Sequence, residues 1–562
     1  MSATASFLKP DLKPRRRLRR GVDLRWLLVA GLVALLTVMP ILSLVVIAVS
    51  SGPSESWSHL LSTVLPDATR VTILLMIGVA ITTGIVGVVT AWLTASFEFP
   101  GRRFFSWALV LPLAVPTYIA AYCVTEFLHF TGPVQTAIRD VFGFTSRRDY
   151  WFPEIRSLPG AVLILSSVLY PYVFLTVRMV FLMQGRRAAD VARTLGAGPL
   201  GAFLKVLLPM ARPAIAVGVA LALMETVNDI GAVEFLGVRT LTFSVYSTWL
   251  NRGDLAGATQ LALAMLVVIV GLVLLERMAR REQRYTLSRG DKAEASRLPL
   301  RPAQAGLASL ACFLPVAFGF GIPAYILGDY ASRRLSQFQN PALWDAVGNT
   351  ALVASAAGLV TVAAAFLMSY GVRLTRSGRL TALVRLGALG YAVPGTVLAI
   401  GVLIPLAAFD NALDAFLRAH FGVSTGLLLS GSGAAIVYAC CVRFMAMGYG
   451  AMESGFSKLS PNLDHAARTL GHGPGRILGS VLLPLMRPAI LTGFMLVFVD
   501  SVKELSATIL LRPFDFETLA TFVYTSASRS AFDDGAVAAL LIVLIGILPV
   551  IALTRTILKQ AA

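Results

Sequence analysis

The sequence predicts an all-α integral membrane protein of about twelve spanning helices, arranged as two six-helix halves. Hydrophobic residues make up 56% of the 562 residues and charged residues only 14%, and the mean hydropathy is +0.75. A soluble core of this size cannot absorb so much apolar surface, so a lipid bilayer is the natural solvent for the chain. Twelve apolar segments of spanning length, from 26–49 to 533–556, and a long internal repeat support the same architecture.

The chain carries a formal net charge of +18, and its basic residues cluster in short segments between the apolar ones. Two such clusters are the amino-terminal residues 1–25 and the segment 277–303. This pattern is typical of cytoplasmic loops, so we expect both termini in the cytoplasm and no nucleic-acid partner. The first apolar segment, 26–49, is long enough to span the bilayer, and we predict a retained helix instead of a cleaved signal peptide.

An internal repeat divides the chain. Residues 192–215 read ARTLGAGPLGAFLKVLLPMARPAI, and residues 467–490 read ARTLGHGPGRILGSVLLPLMRPAI, 275 positions later. A second, shorter repeat relates AVPTY at 114–118 to AVPGT at 392–396. The chain therefore consists of two homologous halves that share one direction through the membrane.

The repeat sets the predicted domain boundaries. A first transmembrane domain covers 26–276, a charged cytoplasmic linker covers 277–303, and a second transmembrane domain covers 304–562. Six spans separate the two copies of the repeat, so both copies lie on the same side of the membrane.

Each copy of the repeat predicts a helical elbow. A short helix is closed by a glycine, which adopts the left-handed conformation cheaply, and a second helix begins at a proline. A Leu-Pro pair is expected to bend the chain into the next span. The repetition favours docking of two copies of a partner, and an ordinary re-entrant loop is the alternative. The elbow positions are Asp190, Ala192, Leu195, Gly196, Pro199 and Pro209 in the first copy and His465, Ala466, Ala467, Leu470, Gly471, Pro474 and Pro484 in the second.

The elbows resemble the coupling loop of binding-protein-dependent ABC importer permeases, whose consensus runs Glu-Ala-Ala, three residues, Gly, and then a spacer ending in Leu-Pro. This chain differs at the leading acid, which is Asp190 in one copy and His465 in the other. The resemblance implies two MetI-like halves in a bacterial inner membrane. It also implies two copies of an ABC ATPase subunit on the elbows and a periplasmic substrate-binding protein as a further partner.

The sequence contains no nucleotide-binding loop of the GxxxxGK[ST] type, and no Gly-Lys pair at all. Its five histidines form no HExxH motif, and its four cysteines form no CxxC pair, so a membrane metalloprotease is unsupported. We therefore expect a permease subunit without catalytic residues or a bound cofactor, with ATP used by partner subunits.

Charged residues inside predicted spans are candidates for a transport pathway, because an unpaired charge in the bilayer is costly. The fifth span carries Glu225 and Asp229, and the eleventh carries Asp500, Lys503 and Glu504. The repeat aligns the acids in pairs, and their i, i+4 spacing is expected to place each pair on one helix face. Such acidic faces would attract a cation. In the alternative interpretation, Lys503 neutralises Asp500 and the other acids sit at helix ends in water.

Four stretches, at 224–249, 497–524, 169–174 and 393–401, resemble fused permeases of the ferric iron type. The resemblance implies ferric iron as cargo, held only transiently by Glu225, Asp229, Asp500 and Glu504. Tyrosines also suit ferric iron, although the membrane interface alone favours this residue. The candidate tyrosines are Tyr170, Tyr172, Tyr246 and Tyr524. A permease for thiamine or another small solute is the alternative, and a secondary transporter is a more distant one.

Overall fold

The computed structural model describes residues 24–52, 54, 56–185, 190–192, 194–281, 297–375, 377–460 and 462–561. Three predicted segments lie largely outside this part of the chain: the basic amino terminus, the centre of the linker, and the residues that lead into the first elbow. The side chains of His465 and Pro474 also lie outside the described set.

Eleven helices of the described chain are long and apolar enough to cross a bilayer, and a bent pair of helices makes a twelfth. The predicted all-α membrane architecture is therefore confirmed. The first half contains α1 (Leu24–Ser50), α2 (Trp57–Ser96), α3 (Arg102–Ala108), α4 (Thr117–Leu128), α5 (Pro133–Phe142), α6 (Leu158–Met183), α7 (Pro199–Asn228), α8 (Gly231–Phe235), α9 (Leu241–Leu250) and α10 (Leu255–Arg281). The second half contains α11 (Pro302–Arg333), α12 (Pro341–Thr375), α13 (Gly378–Gly387), α14 (Gly395–Phe421), α15 (Ala434–Lys458), α16 (Asn462–Thr469), α17 (Gly475–Lys503), α18 (Thr508–Leu511), α19 (Leu519–Ser528) and α20 (Phe532–Ala561).

The apolar segments 104–126 and 380–407, each predicted as one span from hydropathy, contain a break in the helix. The helical segments on either side of Val115 and Pro116 meet at 100°. Val393 and Pro394 separate α14 from the turn that follows α13. Proline drives the preceding residue out of the helical region, and both valines are accordingly extended, with ψ of 119° and 124°.

The first helix of each half packs against the opposite half. Ala30 of α1 belongs to a buried cluster formed otherwise by second-half residues. Ala305, Ala308 and Cys312 of α11 belong to a cluster formed mainly by first-half residues. A third and larger cluster contains buried residues of both halves. The two halves are therefore interlocked, and each supports the other's core.

The end of the linker is attached to the first half. Strand β1 (Phe97–Glu98) pairs in parallel with β2 (Leu298–Pro299). The Glu98 carboxylate also lies 2.9 Å from Arg102, which begins α3. The pairing of β1 with β2 places the end of the linker beside the turn between α2 and α3.

Candidate functional site

The two elbows share one backbone geometry. Gly196 and Gly471 have φ of +87° and +83°, in the left-handed region. The amide of Ala197 donates to the carbonyl of Ala192 at 3.0 Å, and the equivalent bond of the second elbow is 3.1 Å. These bonds close each short helix in the way the sequence predicts, so this part of the prediction is confirmed.

The predicted bend at each Leu-Pro pair is wrong. Helices α7 and α17 run without a break through Pro209 and Pro484. A wide helical turn precedes each pair, over Phe203–Leu207 and Leu478–Leu482, with amides bonded to carbonyls five residues back. The wider turn accommodates a proline, which has no amide hydrogen, without breaking the helix. The second arm of each elbow is therefore continuous with the span that follows it.

Each elbow presents a large apolar side chain to the surroundings. Leu195 is 82% exposed, and its counterpart Leu470 is 76% exposed. The second elbow is held in place by Arg373, whose guanidinium lies 2.8 Å from Asp464 and also donates to the carbonyl of Leu459. Asp464 directly precedes His465, so this elbow retains an acid one position before the expected one.

A cavity of about 240 Å³ lies between the two halves. All four acids predicted from the repeat line this cavity, which also contains two basic side chains. Only one of these, Arg443 of α15, had no place in the prediction. It could have been found as a single arginine inside an apolar segment. The charged lining residues are Glu225, Asp229, Asp500, Lys503, Glu504 and Arg443.

The second acid of each pair lies beyond the end of its helix. Helices α7 and α17 end immediately before Asp229 and Glu504, so the expectation of one helical face per pair is wrong. Asp229 Oδ1 accepts the amide of Ala232 at 2.7 Å, and Glu504 Oε1 accepts the amide of Ala507 at 2.8 Å. Each carboxylate thus bonds a backbone amide at the start of the following short helix, and this local bonding competes with continuation of the span.

Asp229 and Glu504 differ in the partner of the carboxylate oxygen that does not accept a backbone amide. Glu504 is 6% exposed and forms an ion pair with Arg443, which is buried to the same extent. Asp229 is 7% exposed, and its Oδ2 is buried without a hydrogen-bond partner among the described residues. A buried carboxylate oxygen without a partner is costly. The first-half acid therefore differs from Glu504 in forming no ion pair among the described residues.

Polar contacts around the cavity cross between the halves. Lys503 Nζ donates to the carbonyl of Leu113 at 3.0 Å, and no ion pair with Asp500 occurs among the described residues. On the other side, Asn228 Oδ1 accepts the amide of Gly395 at 2.7 Å. Each long span thus holds the broken helix of the opposite half.

The tyrosines divide between three places. Tyr172 lines the cavity. Tyr391, which the sequence prediction missed, donates to Glu225 Oε1 at 2.9 Å. It could have been found from its position directly before the second copy of the AVP repeat. Tyr170 is buried in the first-half core and is not among the described residues that line the cavity. Tyr246 and Tyr524 meet each other outside the cavity, with a distance of 3.1 Å between their hydroxyl oxygens.

The carboxylates do not form a preformed metal centre. Among the described residues, no three His, Cys, Asp or Glu side chains are placed to hold one metal ion. The acids instead line the cavity wall as separate groups.

Residues 84–284 and 362–560 match the family described as binding-protein-dependent transport system inner membrane component. The chain belongs to this family of ABC importer permeases. Membership implies that the permease works with a substrate-binding protein and an ATPase, and the two matched segments fall in the two halves of the chain.

Several relatives of the permease have described roles. It is 24% identical to the Fe(3+)-transport system permease protein FbpB 2 of Haemophilus influenzae, over 94% of this chain and 98% of that protein. It is 22% identical to the putative ferric transport system permease protein FbpB 1 of the same organism, over 72% and 63%. It is also 28% identical to the sulfate transport system permease protein CysT of Salmonella typhimurium, over 36% and 70%.

Proposed function

We propose that the permease is the membrane subunit of an ATP-driven importer that carries ferric iron across the bacterial inner membrane. The observation that carries the proposal is the convergence of four carboxylates, two from each half, on one cavity between the halves. Carboxylate oxygens are hard ligands, and ferric iron is a hard cation that prefers them. The acids outnumber the cations Lys503 and Arg443 in the same space, so the formal charge of the cavity favours a cationic cargo.

The comparison with relatives supports the same cargo. The similarity to a ferric permease extends over nearly the whole fused chain, whereas the similarity to a sulfate permease covers about a third of it. An oxyanion such as sulfate requires hydrogen-bond donors and positive charge along its path. Four carboxylates at the centre of the molecule oppose that requirement.

The two elbows supply the docking surfaces for two copies of an ATPase subunit. They have matching backbone geometry, and each exposes a leucine that a partner would bury, Leu195 or Leu470. In this arrangement the elbows and both termini face the cytoplasm, and the opposite face receives a periplasmic binding protein. ATP is hydrolysed by the partner subunits, while the permease itself binds no nucleotide or other cofactor.

The continuity of the elbows with α7 and α17 provides the mechanical connection. Each of these helices is about 30 residues long, so it extends roughly 45 Å from the elbow to the acids at its far end. Closure of the ATPase subunits on ATP would push both elbows and rock the two halves about their shared interface. The acids would then change their exposure between the two sides of the membrane.

The test is uptake of radioactive ferric iron, compared with thiamine, in a strain that lacks the chromosomal copy of this permease. The native chain should restore iron uptake and leave thiamine uptake unchanged. The variant in which Glu225, Asp229, Asp500 and Glu504 are replaced by the corresponding amides should insert normally but lose most iron uptake. Restored thiamine uptake, or full iron uptake by the amide variant, would overturn the proposal.

A further inference from the structure

A second group of oxygen ligands lies outside the cavity. Tyr524 Oη donates to Glu234 Oε2 at 2.6 Å, and Tyr246 Oη lies 3.1 Å from Tyr524 Oη. The three residues come from α8, α9 and α19, so both halves contribute. Tyr246 is 8% exposed, and the other two side chains are half-buried. We call these three residues the tyrosine–glutamate triad.

The triad lies on the axis that relates the two halves. Tyr246 and Tyr524 are 278 positions apart, and the same separation relates Thr72 to Thr350. These threonines make equivalent bonds of 2.9 and 2.8 Å to the first amides of α9 and α19. The two tyrosines are therefore counterparts, and two counterparts can touch only near the symmetry axis. A path that both halves share would run along this axis.

The triad is also close to the cavity along the chain. Glu234 follows Asp229 by five residues, and most of that distance is the short helix α8. At about 1.5 Å per residue, the Glu234 backbone lies roughly 8 Å beyond the Asp229 backbone. Phe235, at the end of α8, packs against Tyr122 of α4, with ring centroids 4.5 Å apart. Helix α4 leads away from the elbows, into the loop that contains Trp151, so this contact places α8 on the side that would receive cargo. An ion leaving the triad would therefore meet the acids of the cavity next.

Two phenols and a carboxylate make a hard ligand set. We propose that the tyrosine–glutamate triad is an outer binding site for ferric iron, which the cation occupies before it enters the cavity. This site rests on the proposed function. Each phenol O–H bond breaks as an O–Fe bond replaces one water ligand of the cation, and each phenol proton passes to water. The carboxylate gives up its hydrogen bond from Tyr524 and displaces a third water ligand from the cation, and the iron remains ferric throughout.

Ferric phenolate has an optical signature that a structural hydrogen bond lacks. The full-length permease is purified in detergent and titrated with ferric nitrilotriacetate, while visible absorbance is recorded. A phenolate-to-iron charge-transfer band is expected, and zinc should not produce it. The double variant Tyr246→Phe with Tyr524→Phe should lose the band. Glu234→Gln should keep the band but weaken ferric binding by about tenfold.

The matched control is Tyr438→Phe, which removes a phenol that bonds the carbonyl of Leu36 in α1. This variant should retain the band, and all variants should elute as the native protein does in size-exclusion chromatography. Absence of the band in the native protein, or its persistence in the double variant, would overturn the site even where cells take up iron. Failure of iron uptake with intact thiamine uptake would instead overturn the proposed function.

Discussion

Arg443 and Glu504 form an ion pair that is buried inside the cavity, and this pair makes the two halves chemically unequal. In the second half, the capping carboxylate is already neutralised by a resident cation. In the first half, Asp229 caps the equivalent turn with one oxygen, and in the described part of the chain neither of its oxygens forms an ion pair. A repeat that is symmetric in its backbone thus carries one acid that is paired with an arginine and one that is not.

Replacing Arg443 should reveal how much this buried pair stabilises the fold. Arg443→Gln leaves the Glu504 charge buried and unpaired, and we expect the permease to lose about 3 kcal/mol of stability, measured by thermal unfolding in detergent. The double variant with Glu504→Gln should recover part of this loss. The control is Arg418→Gln, which removes an exposed partner of Asp414 and should change stability by about 1 kcal/mol or less. Equal losses in the buried and exposed variants would contradict this account.

The closing glycines of the elbows support a second prediction at the same scale. Gly196→Val with Gly471→Val places β-branched residues at φ near +85°, which strains each elbow by about 1–2 kcal/mol. No atom of the described residues lies within 4 Å of either added Cβ, so the span should remain intact while ATP hydrolysis by the complex no longer drives uptake. The control is Gly198→Val with Gly473→Val, since Gly198 has φ of −65° and both sites are open. Uptake per ATP should fall only in the first pair, and equal coupling in both pairs would contradict the prediction.

The helices show which features a single sequence could and could not predict. The elbow geometry was predictable because glycine and proline restrict the backbone locally, at Gly196 as at Gly471. The breaks before Pro116 and Pro394 were missed although both copies of the AVP repeat were visible, because the residues on both sides of each break are apolar and read as one span. The end of α7 before Asp229 was missed because it depends on the hydrogen bond from the Ala232 amide to the Asp229 carboxylate. A single sequence does not show which backbone amide an aspartate will bond.

The broken helix α14 depends on a close approach that one substitution should disturb. A Cβ at Gly395 would lie 2.7 Å from Ser506 Cβ and 2.8 Å from the amide of Ala507, in the segment that follows α17. Gly395→Ala should therefore push apart the two broken segments beside the cavity and cost about 1–3 kcal/mol. The control, Gly378→Ala, adds a Cβ with no described atom within 4 Å, and this variant should unfold at the native temperature. A thermal unfolding series of both variants decides the matter, and identical midpoints would contradict the predicted contact.

At the scale of the whole molecule, the two halves are interlocked in a way that the repeat alone did not predict. The exchange of α1 and α11 depends on packing surfaces that hydropathy does not distinguish, since every apolar helix looks alike in a one-dimensional profile. The fusion of the halves, by contrast, was evident from the sequence. The attachment of the linker through β1 and β2 now shows that it is tied to the first half at the turn before α3.

The orientation of the molecule is the last prediction, and it follows from helix order. If each span crosses once, both elbows lie at the end of the molecule that contains the linker, and the loop with Trp151 lies at the opposite end. Single cysteines at Leu195, Leu470 and Trp151 are suitable probes because these side chains are 82%, 76% and 86% exposed. The four native cysteines are buried and should react slowly.

An impermeant maleimide should label Trp151→Cys from outside intact cells and should label Leu195→Cys and Leu470→Cys only in inverted vesicles. The basic segments near the elbows predict this direction, because cytoplasmic loops carry the excess of lysine and arginine. Both elbow positions must behave alike, since six spans separate them. Labelling of either elbow from outside would place the ATPase docking surfaces on the wrong side, and an importer driven by cytoplasmic ATP would then be impossible for this chain.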